Sequence, residues 1–187
     1  DRKAMFIEGV KHILDAGYIQ TGLEHFAKPT DSVGQASEKG KAVYGSLGVT
    51  TEGCTSMLAV GSSAYSSFGD DYYFQNYYEN NLYTKALDNG EFPIYRGHKL
   101  SAEDKMRRHI VKGIRTCFFI DVIDFENKYG IEFNDMFAKE IKLLKEFEED
   151  GLVELNSRSL SLTDIGQHLS PVISGVFDSY WTGLHHN

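Results

Sequence analysis

In the first 27 residues the apolar side chains are spaced first as in a helix and then, roughly, at every second position as in a strand. Residues 5–16 place four apolar side chains on one helical face: Ile7, Val10, Ile13 and Leu14. Gly17 follows as a typical helix C-cap. Residues 18–27, YIQTGLEHFA, alternate roughly and precede Pro29, which predicts one strand. Helix, glycine and strand form a unit of an α/β sheet or barrel. Because parallel strands need neighbours and this half of the chain has only two candidates, we expect the sequence to begin partway through a larger domain.

A stretch rich in Gly, Ser and Thr, GSLGVTTEGCTSMLAVGSSAYSSF, follows at residues 45–68, after a short helix predicted within 32–43. Its pattern predicts a loop, a short apolar strand at residues 57–60 and a second run of small residues at 61–67. Glycines let the backbone approach a ligand closely, and hydroxyl groups supply adaptable hydrogen bonds. A solvated turn before a core strand is the alternative that the local chemistry leaves open.

Residues 70–90 are dense in Tyr, Phe and Asn. Tyr78, Leu82 and Ala86 share one face of a predicted helix, and Gly90 is its expected C-cap. We interpret the tyrosines as amphipathic packing at a domain edge, with stacking on a flat ligand as the alternative.

A helix that begins after Ser101 is predicted by the capping-box pattern of residues 101–104. Its apolar side carries Met106, Ile110, Val111 and Ile114. Its other side carries Arg107, Arg108, Lys112 and Arg115. For this basic side we favour a solvated face, and a clamp on a carboxylate-bearing ligand or a surface that docks an acidic domain remain alternatives.

The last third of the chain has the element order of a winged-helix-like module. Asn134 is the expected cap of a long helix that ends at Asp150. Residues 152–155 and 160–162 alternate on either side of a turn, which predicts a hairpin. Thr163 is the expected cap of one final helix with apolar residues at Ile165, Leu169, Val172, Ile173 and Val176.

Composition and charge restrict the classes of function. With 187 residues and 41% hydrophobic residues the chain can form one or two domains. A net charge of −8 argues against nucleic acid as the main partner. No apolar run is long enough for a membrane span, and the first residues lack a signal-peptide pattern. Cys54 and Cys117 lie far apart without metal-binding spacing, which favours reduced thiols and a cytoplasmic protein.

Several sequence blocks together resemble one enzyme family. The blocks are GLEHFAKPTD, LGVTTEGCTSMLAVGSSAYS, a Tyr/Asn-rich helix, YRGHKLSAEDKMRRHIVKGI, LLKEFEEDGLVEL and LSLTDIG. In this order they resemble the C-terminal part of oxygen-independent coproporphyrinogen III oxidases, which are radical S-adenosylmethionine enzymes of heme biosynthesis. Blocks at consistent spacing over nearly the whole chain are far more specific than one motif.

The resemblance implies an α+β fold in which the terminal strand–helix portion of a radical S-adenosylmethionine partial barrel (1–95) precedes a mainly helical, winged-helix-like C-terminal domain (96–187). It also implies a four-iron, four-sulfur cluster and S-adenosylmethionine in the full-length protein, which converts propionates of a tetrapyrrole substrate to vinyl groups. The family's CxxxCxxC cluster motif is not in this sequence. We therefore expect the fragment to bind no complete cofactor, to carry no catalytic or metal-ligating residue of its own and to be inactive alone.

Site residues follow from the resemblance position by position. Tyr65 falls where the family contacts S-adenosylmethionine, and Ser46 and Leu47 fall beside a second cofactor molecule. All three depart from the commonest family residues, whereas the surrounding glycines and threonines agree with them. His25 and Lys28 end a barrel strand on the side where barrel active sites form, so Lys28 could pair with a substrate propionate. On local grounds we favour a hydrogen-bonded core histidine for His25.

The departures at residues 46, 47 and 65 leave two alternatives: a related radical enzyme that acts on another tetrapyrrole, or a heme-binding or heme-transfer paralogue. Possible axial ligands for heme are spread along the chain without a diagnostic motif: His12, His25, His98, His109 and His168. A DNA-binding winged helix is the weakest reading because the chain is acidic. The terminal His185 and His186 are interpreted as a polar tail.

Overall fold

The computed structural model describes residues 2–45, 48–51 and 56–181. The chain packs into two compact units, one comprising Asp1–Glu52 and Arg107–Asn187 and the other Gly53–Met106. Both units combine helices with small antiparallel sheets, which confirms the predicted α+β class. The predicted division between residues 1–95 and 96–187 remains a prediction.

The first helix confirms its prediction, but the strand after it does not. Helix α1 spans Arg2–Asp15, and Gly17 has the positive φ of a C-cap, +83°. The single strand expected over residues 18–27 is instead a tight hairpin of β1 (Ile19–Gln20) and β2 (Phe26–Ala27). The chain reverses because the Thr21 amide donates to the His25 carbonyl oxygen at 2.8 Å. These short strands pair antiparallel with each other, so they do not show the parallel neighbours expected of a barrel strand.

The glycine-rich stretch begins as a second hairpin. After helix α2 (Ser32–Glu38), strand β3 (Ala42–Gly45) pairs with β4 (Gly48–Thr51). The short apolar strand predicted at residues 57–60 is wrong, because Met57 forms only one isolated bridge with Ser67. Leu58 and Val60 are 84% and 86% exposed, so local hydrophobicity misidentified a surface segment as part of the core.

The second unit centres on a three-stranded antiparallel sheet with order β5-β6-β7, formed by Tyr65–Phe68, Tyr72–Asn76 and Ile94–Lys99. Helix α3 (Asn80–Asp88) precedes β7, buries Ala86 and is followed by Gly90 at φ +72°. This confirms the predicted helix and its cap, but Tyr78, which was expected on the same helical face, lies before the helix and is exposed. The tyrosines before it were predicted to form amphipathic packing, with stacking on a flat ligand as the alternative, and two of them lie in strand β6.

Helix α4 (Ala102–Thr116) begins with the predicted capping box. The Ser101 hydroxyl accepts from the Asp104 amide, while the Asp104 carboxylate accepts from the Ser101 amide at 2.8 Å. Ile110 and Ile114 are buried, as the pattern predicted. Further along, β8 (Phe119–Asp121), which was not predicted, and α5 (Val122–Tyr129) follow.

The long helix predicted from Asn134 is two helices, α6 (Phe133–Met136) and α7 (Ala138–Glu149). Asn134 lies inside α6 and does not cap a helix. Phe137 interrupts the helix with φ −113° and ψ 29°, and both Phe133 and Phe137 are fully buried. The interruption therefore accompanies two aromatic anchors in one core.

The predicted C-terminal hairpin is confirmed, as β9 (Val153–Leu155) and β10 (Ser159–Leu162) pair antiparallel, with β8 on the other side of β10. The Thr163 hydroxyl accepts from the Gly166 amide, which confirms the predicted cap. The single final helix is again divided, into α8 (Asp164–Gln167) and α9 (Ser170–Gly175), with Pro171 in the first turn of α9.

An aromatic cluster forms the core of this part of the first unit. Phe125, Phe133, Phe137 and Phe177 are fully buried, with ring centres of contacting pairs 5.1–6.3 Å apart. All five pairs are tilted or edge-on, which is the favourable arrangement for aromatic rings. The cluster joins α5, α6 and the segment after α9.

The solvated basic face favoured for α4 is wrong at Arg107. Its guanidinium donates to the Glu140 carboxylate of α7 at 2.7 Å and to the Phe177 carbonyl oxygen at 3.2 Å. Both side chains of the ion pair are largely buried, so Arg107 joins helices in the interior. No helix among the described residues is long and apolar enough to cross a membrane.

Candidate functional site

The first candidate site is a cavity of about 830 Å³ in the first unit, within the size range of ligand pockets. Most of its lining comes from the β1–β2 hairpin and the turn into α2. His25 and Lys28, the two residues predicted to face substrate, both line it. The folded chain therefore brings these two predicted residues to one cavity.

The turn that follows Lys28 and leads into α2 is stabilised by backbone hydrogen bonds and a helix cap. The Asp31 carboxylate accepts from the Val33 amide at 2.8 Å and caps α2, and the Asp31 amide donates to the Lys28 carbonyl oxygen at 2.9 Å. Gly34 lies so close to the Lys28 carbonyl group that a Cβ atom there would overlap it. A glycine at the first turn of α2 is therefore required for this path of the chain.

His25 is half-buried and is positioned by packing. A Cβ atom on Gly48 would lie 2.8 Å from His25 Nε2, so the β4 backbone lies directly against the imidazole. The Tyr44 ring meets it edge-on with centres 6.1 Å apart. Within the described part of the chain no hydrogen bond to the imidazole nitrogens is found. The hydrogen-bonded core histidine that we favoured on local grounds remains a prediction.

Lys28 is exposed at the edge of the cavity. Its ammonium group lies 5.9 Å from the centre of the Tyr18 ring, a cation–π distance. Glu24 and Asp31 also line the cavity, but neither lies within ion-pair distance of Lys28 among the described residues. The charge of Lys28 is thus available to an anionic group of a ligand.

Tyr44 and Arg115 form a chain of contacts that ends at His25. Tyr44 was not predicted as a site residue. The Arg115 guanidinium lies 5.0 Å from the centre of the Tyr44 ring, and that ring is nearly perpendicular to the His25 imidazole. Arg115 was predicted only as part of a basic helix face. The order Arg115, Tyr44, His25 links positions far apart in the sequence, and a strand–helix pattern contains no signal for such a contact.

The second candidate site lies in the second unit and contains Tyr65. A pocket of about 270 Å³ is lined by residues of β5, β6 and β7: Tyr65, Tyr73, Phe74, Gln75, Arg96, Gly97 and His98. The Tyr65 hydroxyl accepts from Arg96 Nη2 at 3.4 Å. Tyr65 therefore contacts the guanidinium group of Arg96, a neighbour that the sequence motif around Tyr65 did not predict.

The other two predicted cofactor contacts, Ser46 and Leu47, lie outside the described residues. No group of three or more His, Cys, Asp or Glu side chains arranged to hold a metal ion occurs in residues 2–45, 48–51 and 56–181. Cys117 is half-buried, and this burial raises the pKa of its thiol, which disfavours the thiolate form.

Comparison with known proteins relates the chain to one family. Residues 100–169 match the HemN C-terminal domain. Oxygen-independent coproporphyrinogen III oxidases of Helicobacter pylori and Pseudomonas aeruginosa are 34% and 35% identical over 90% of this chain. The Escherichia coli protein of the same name is 33% identical over 92% of it. The chain spans 36–38% of the length of these relatives.

A solved structure shows the same relationship. The coproporphyrinogen III oxidase HemN from Escherichia coli, described as a radical S-adenosylmethionine enzyme, superposes on 93% of this chain with a TM-score of 0.87 and 33% identity. This chain covers 40% of that structure. The resemblance found from the sequence blocks is thereby confirmed.

Proposed function

We propose that this chain is the C-terminal part of an oxygen-independent coproporphyrinogen III oxidase, and that the whole protein converts propionates of coproporphyrinogen III to the vinyl groups of protoporphyrinogen IX in heme biosynthesis. The observation that carries the proposal is the match in both sequence and structure over more than nine-tenths of the chain. Both candidate sites are formed largely by the sequence blocks that resemble this family. We place the protein in the cytoplasm.

The iron–sulfur cluster belongs, in this proposal, to the part of the protein outside this chain. Two cysteines are fewer than the three thiolates of a CxxxCxxC motif, so the residues present do not fit the cluster. The chain would contribute part of a cofactor wall at Tyr65, Ser46 and Leu47. Residues 1–95 would end the catalytic barrel and residues 96–187 would form the C-terminal domain.

Lys28 and His25 are the proposed substrate contacts of the chain. The exposed ammonium group of Lys28 is suited to a propionate carboxylate, since a charge-assisted bond at a partly enclosed site is stronger than a neutral one. The imidazole of His25 packs against Gly48 and Tyr44 and lines the same cavity. Both residues would bind and orient the substrate.

The test is turnover by the full-length protein that contains this chain, purified without oxygen. With S-adenosylmethionine and an electron donor, coproporphyrinogen III should yield protoporphyrinogen IX, separated by chromatography after oxidation, and the 187-residue chain alone should yield none. Lys28→Ala should raise KM while Lys39→Ala, an exposed lysine outside the cavity, should not. A full-length protein without a CxxxCxxC motif or without turnover would disprove the proposal.

A heme-binding paralogue is the second candidate, favoured by the uncommon residues at positions 46, 47 and 65. It predicts that hemin titrated into the protein produces a stoichiometric shift of the Soret band. An unchanged Soret band would remove this candidate.

A further inference from the structure

One face of the sheet in the second unit carries a continuous polar row across all three strands. The register places Tyr65 of β5 opposite Gln75 of β6, and Gln75 opposite Arg96 of β7. Arg96 Nε donates to Gln75 Oε1 at 2.8 Å, and Arg96 Nη2 donates to the Tyr65 hydroxyl at 3.4 Å. Side chains of β5 and β6 therefore orient the exposed guanidinium group of Arg96 on β7.

The neighbouring row on this face extends the same pocket. Side chains two positions apart on a strand share a face, so Tyr73 and His98, which are paired in the register, lie beside the first row. Both line the 270 Å³ pocket together with Tyr65 and Arg96. The result is a small recess with aromatic walls and a guanidinium group at its edge.

Arg96 has hydrogen-bonding capacity left for a ligand. A guanidinium has five N–H donors, and its bonds to Gln75 and Tyr65 use one on Nε and one on Nη2. Among the described residues no carboxylate lies within ion-pair distance of Arg96. The free donors on Nη1 and Nη2 form the planar pair that binds a carboxylate through two bonds.

We propose that Arg96, oriented by Gln75 and Tyr65, is a carboxylate-binding residue for an arm of an aromatic or macrocyclic ligand. A pocket of this volume is smaller than the cavities that enclose whole organic ligands, so it holds a side arm and not a macrocycle. The inference rests on the proposed function for the identity of the ligand. Both S-adenosylmethionine and a propionate-bearing tetrapyrrole carry the required group.

The experiment measures ligand binding to the full-length protein that contains this chain, without an electron donor and therefore without turnover. Fluorescence anisotropy of coproporphyrin III reports the propionate-bearing ligand, and titration calorimetry reports S-adenosylmethionine. Arg96→Gln removes the charge and Arg96→Lys keeps the charge without the planar fork. Lys99→Gln is the matched control, because Lys99 lies on the same strand but on the opposite face, near the Tyr72 ring. Circular dichroism establishes that each variant is folded.

Arg96→Gln should weaken binding of one ligand about tenfold, as expected for loss of a charged hydrogen bond at a partly solvated site, and Lys99→Gln should leave it unchanged. Arg96→Lys should fall between the two. Weakening of the porphyrin alone identifies a propionate as the bound group, and weakening of S-adenosylmethionine alone identifies the methionyl carboxylate.

Equal affinities of Arg96→Gln and Lys99→Gln for both ligands would overturn the inference, as would a wild-type full-length protein that binds neither ligand. The proposed function is judged separately by turnover of the full-length protein. It can therefore stand when this inference fails, and its own failure is recognised by absent product even where Arg96 binds a carboxylate.

Discussion

Gly48 offers a direct test of how the backbone positions His25. Its φ is +113°, a region that residues with a side chain rarely adopt. An added Cβ would also lie 2.8 Å from His25 Nε2, closer than real Cβ contacts allow, and 3.2 Å from Cδ2, which is a tight contact. We expect Gly48→Ala both to strain the β3–β4 hairpin and to push the imidazole out of its place in the cavity.

The size of the effect follows from these two terms. A non-glycine residue in a sparsely populated backbone region costs about 1–3 kcal/mol, and overpacking costs a similar amount unless the neighbour moves. Because the imidazole can rotate away from Gly48, we expect a total of about 2–4 kcal/mol. At about 2–4 °C per kcal/mol, Tm should fall by roughly 4–16 °C.

Gly45→Ala is the matched control in the same hairpin. Gly45 is paired with Gly48 in the register, but a Cβ there would meet only the Gly48 carbonyl oxygen at an ordinary 3.6 Å. Thermal unfolding followed by circular dichroism compares the two variants, and the His25 Hε1 resonance reports the position of the ring. If both variants had the same Tm and left that resonance at its wild-type shift, the assigned contact between Gly48 and His25 would be refuted.

Three further predictions concern the first unit. Phe137→Ala should lower the free energy of unfolding by about 3–5 kcal/mol, because Phe137 is fully buried in the aromatic cluster, and Phe137→Leu should lower it clearly less. Urea unfolding followed by the fluorescence of Trp181 measures both variants. Equal losses of stability would contradict the close packing of Phe137. Thr163→Ala should cost about 1 kcal/mol through loss of its bond to the α8 amide, and Thr163→Ser should restore most of it in the same assay. Burial raises the pKa of the Cys117 thiol. In a Cys54→Ser variant, where Cys117 is the remaining thiol, reaction with a disulfide reagent should therefore begin at higher pH in the folded chain than in the urea-unfolded chain. Identical pH profiles of the two states would contradict this prediction. Because the folded pKa is the higher one, the contribution of this thiol to stability is complete below its unfolded pKa and is lost as pH rises through the folded pKa.

Local chemistry was sufficient where an element depends on residues adjacent in sequence. The capping box at Ser101, the cap at Thr163 and the positive-φ glycines after α1 and α3 were all predictable, because each rests on bonds within one turn of the backbone. The family resemblance was predictable for the same reason, since it depends on residue identity and spacing alone.

Other expectations failed where packing decides the structure. The apolar residues 57–60 look like a core strand, yet Leu58 and Val60 are exposed because nothing in the described unit covers them. The alternation of residues 18–27 conceals a hairpin closed by a bond from Thr21 to the His25 carbonyl oxygen. Periodicity cannot separate these cases, because it records which side chains are apolar and not what they contact.

The amino-acid sequence alone established the class of elements, their caps, the acidic charge and the family to which the blocks are similar. Only the tertiary structure showed that Arg107 is paired with Glu140 in the interior and that Arg96 stands beside Tyr65. These partners are separated by 33 and 31 positions in the chain. Contacts at such separations arise from the packing of helices and the register of strands, so no local pattern of residues encodes them.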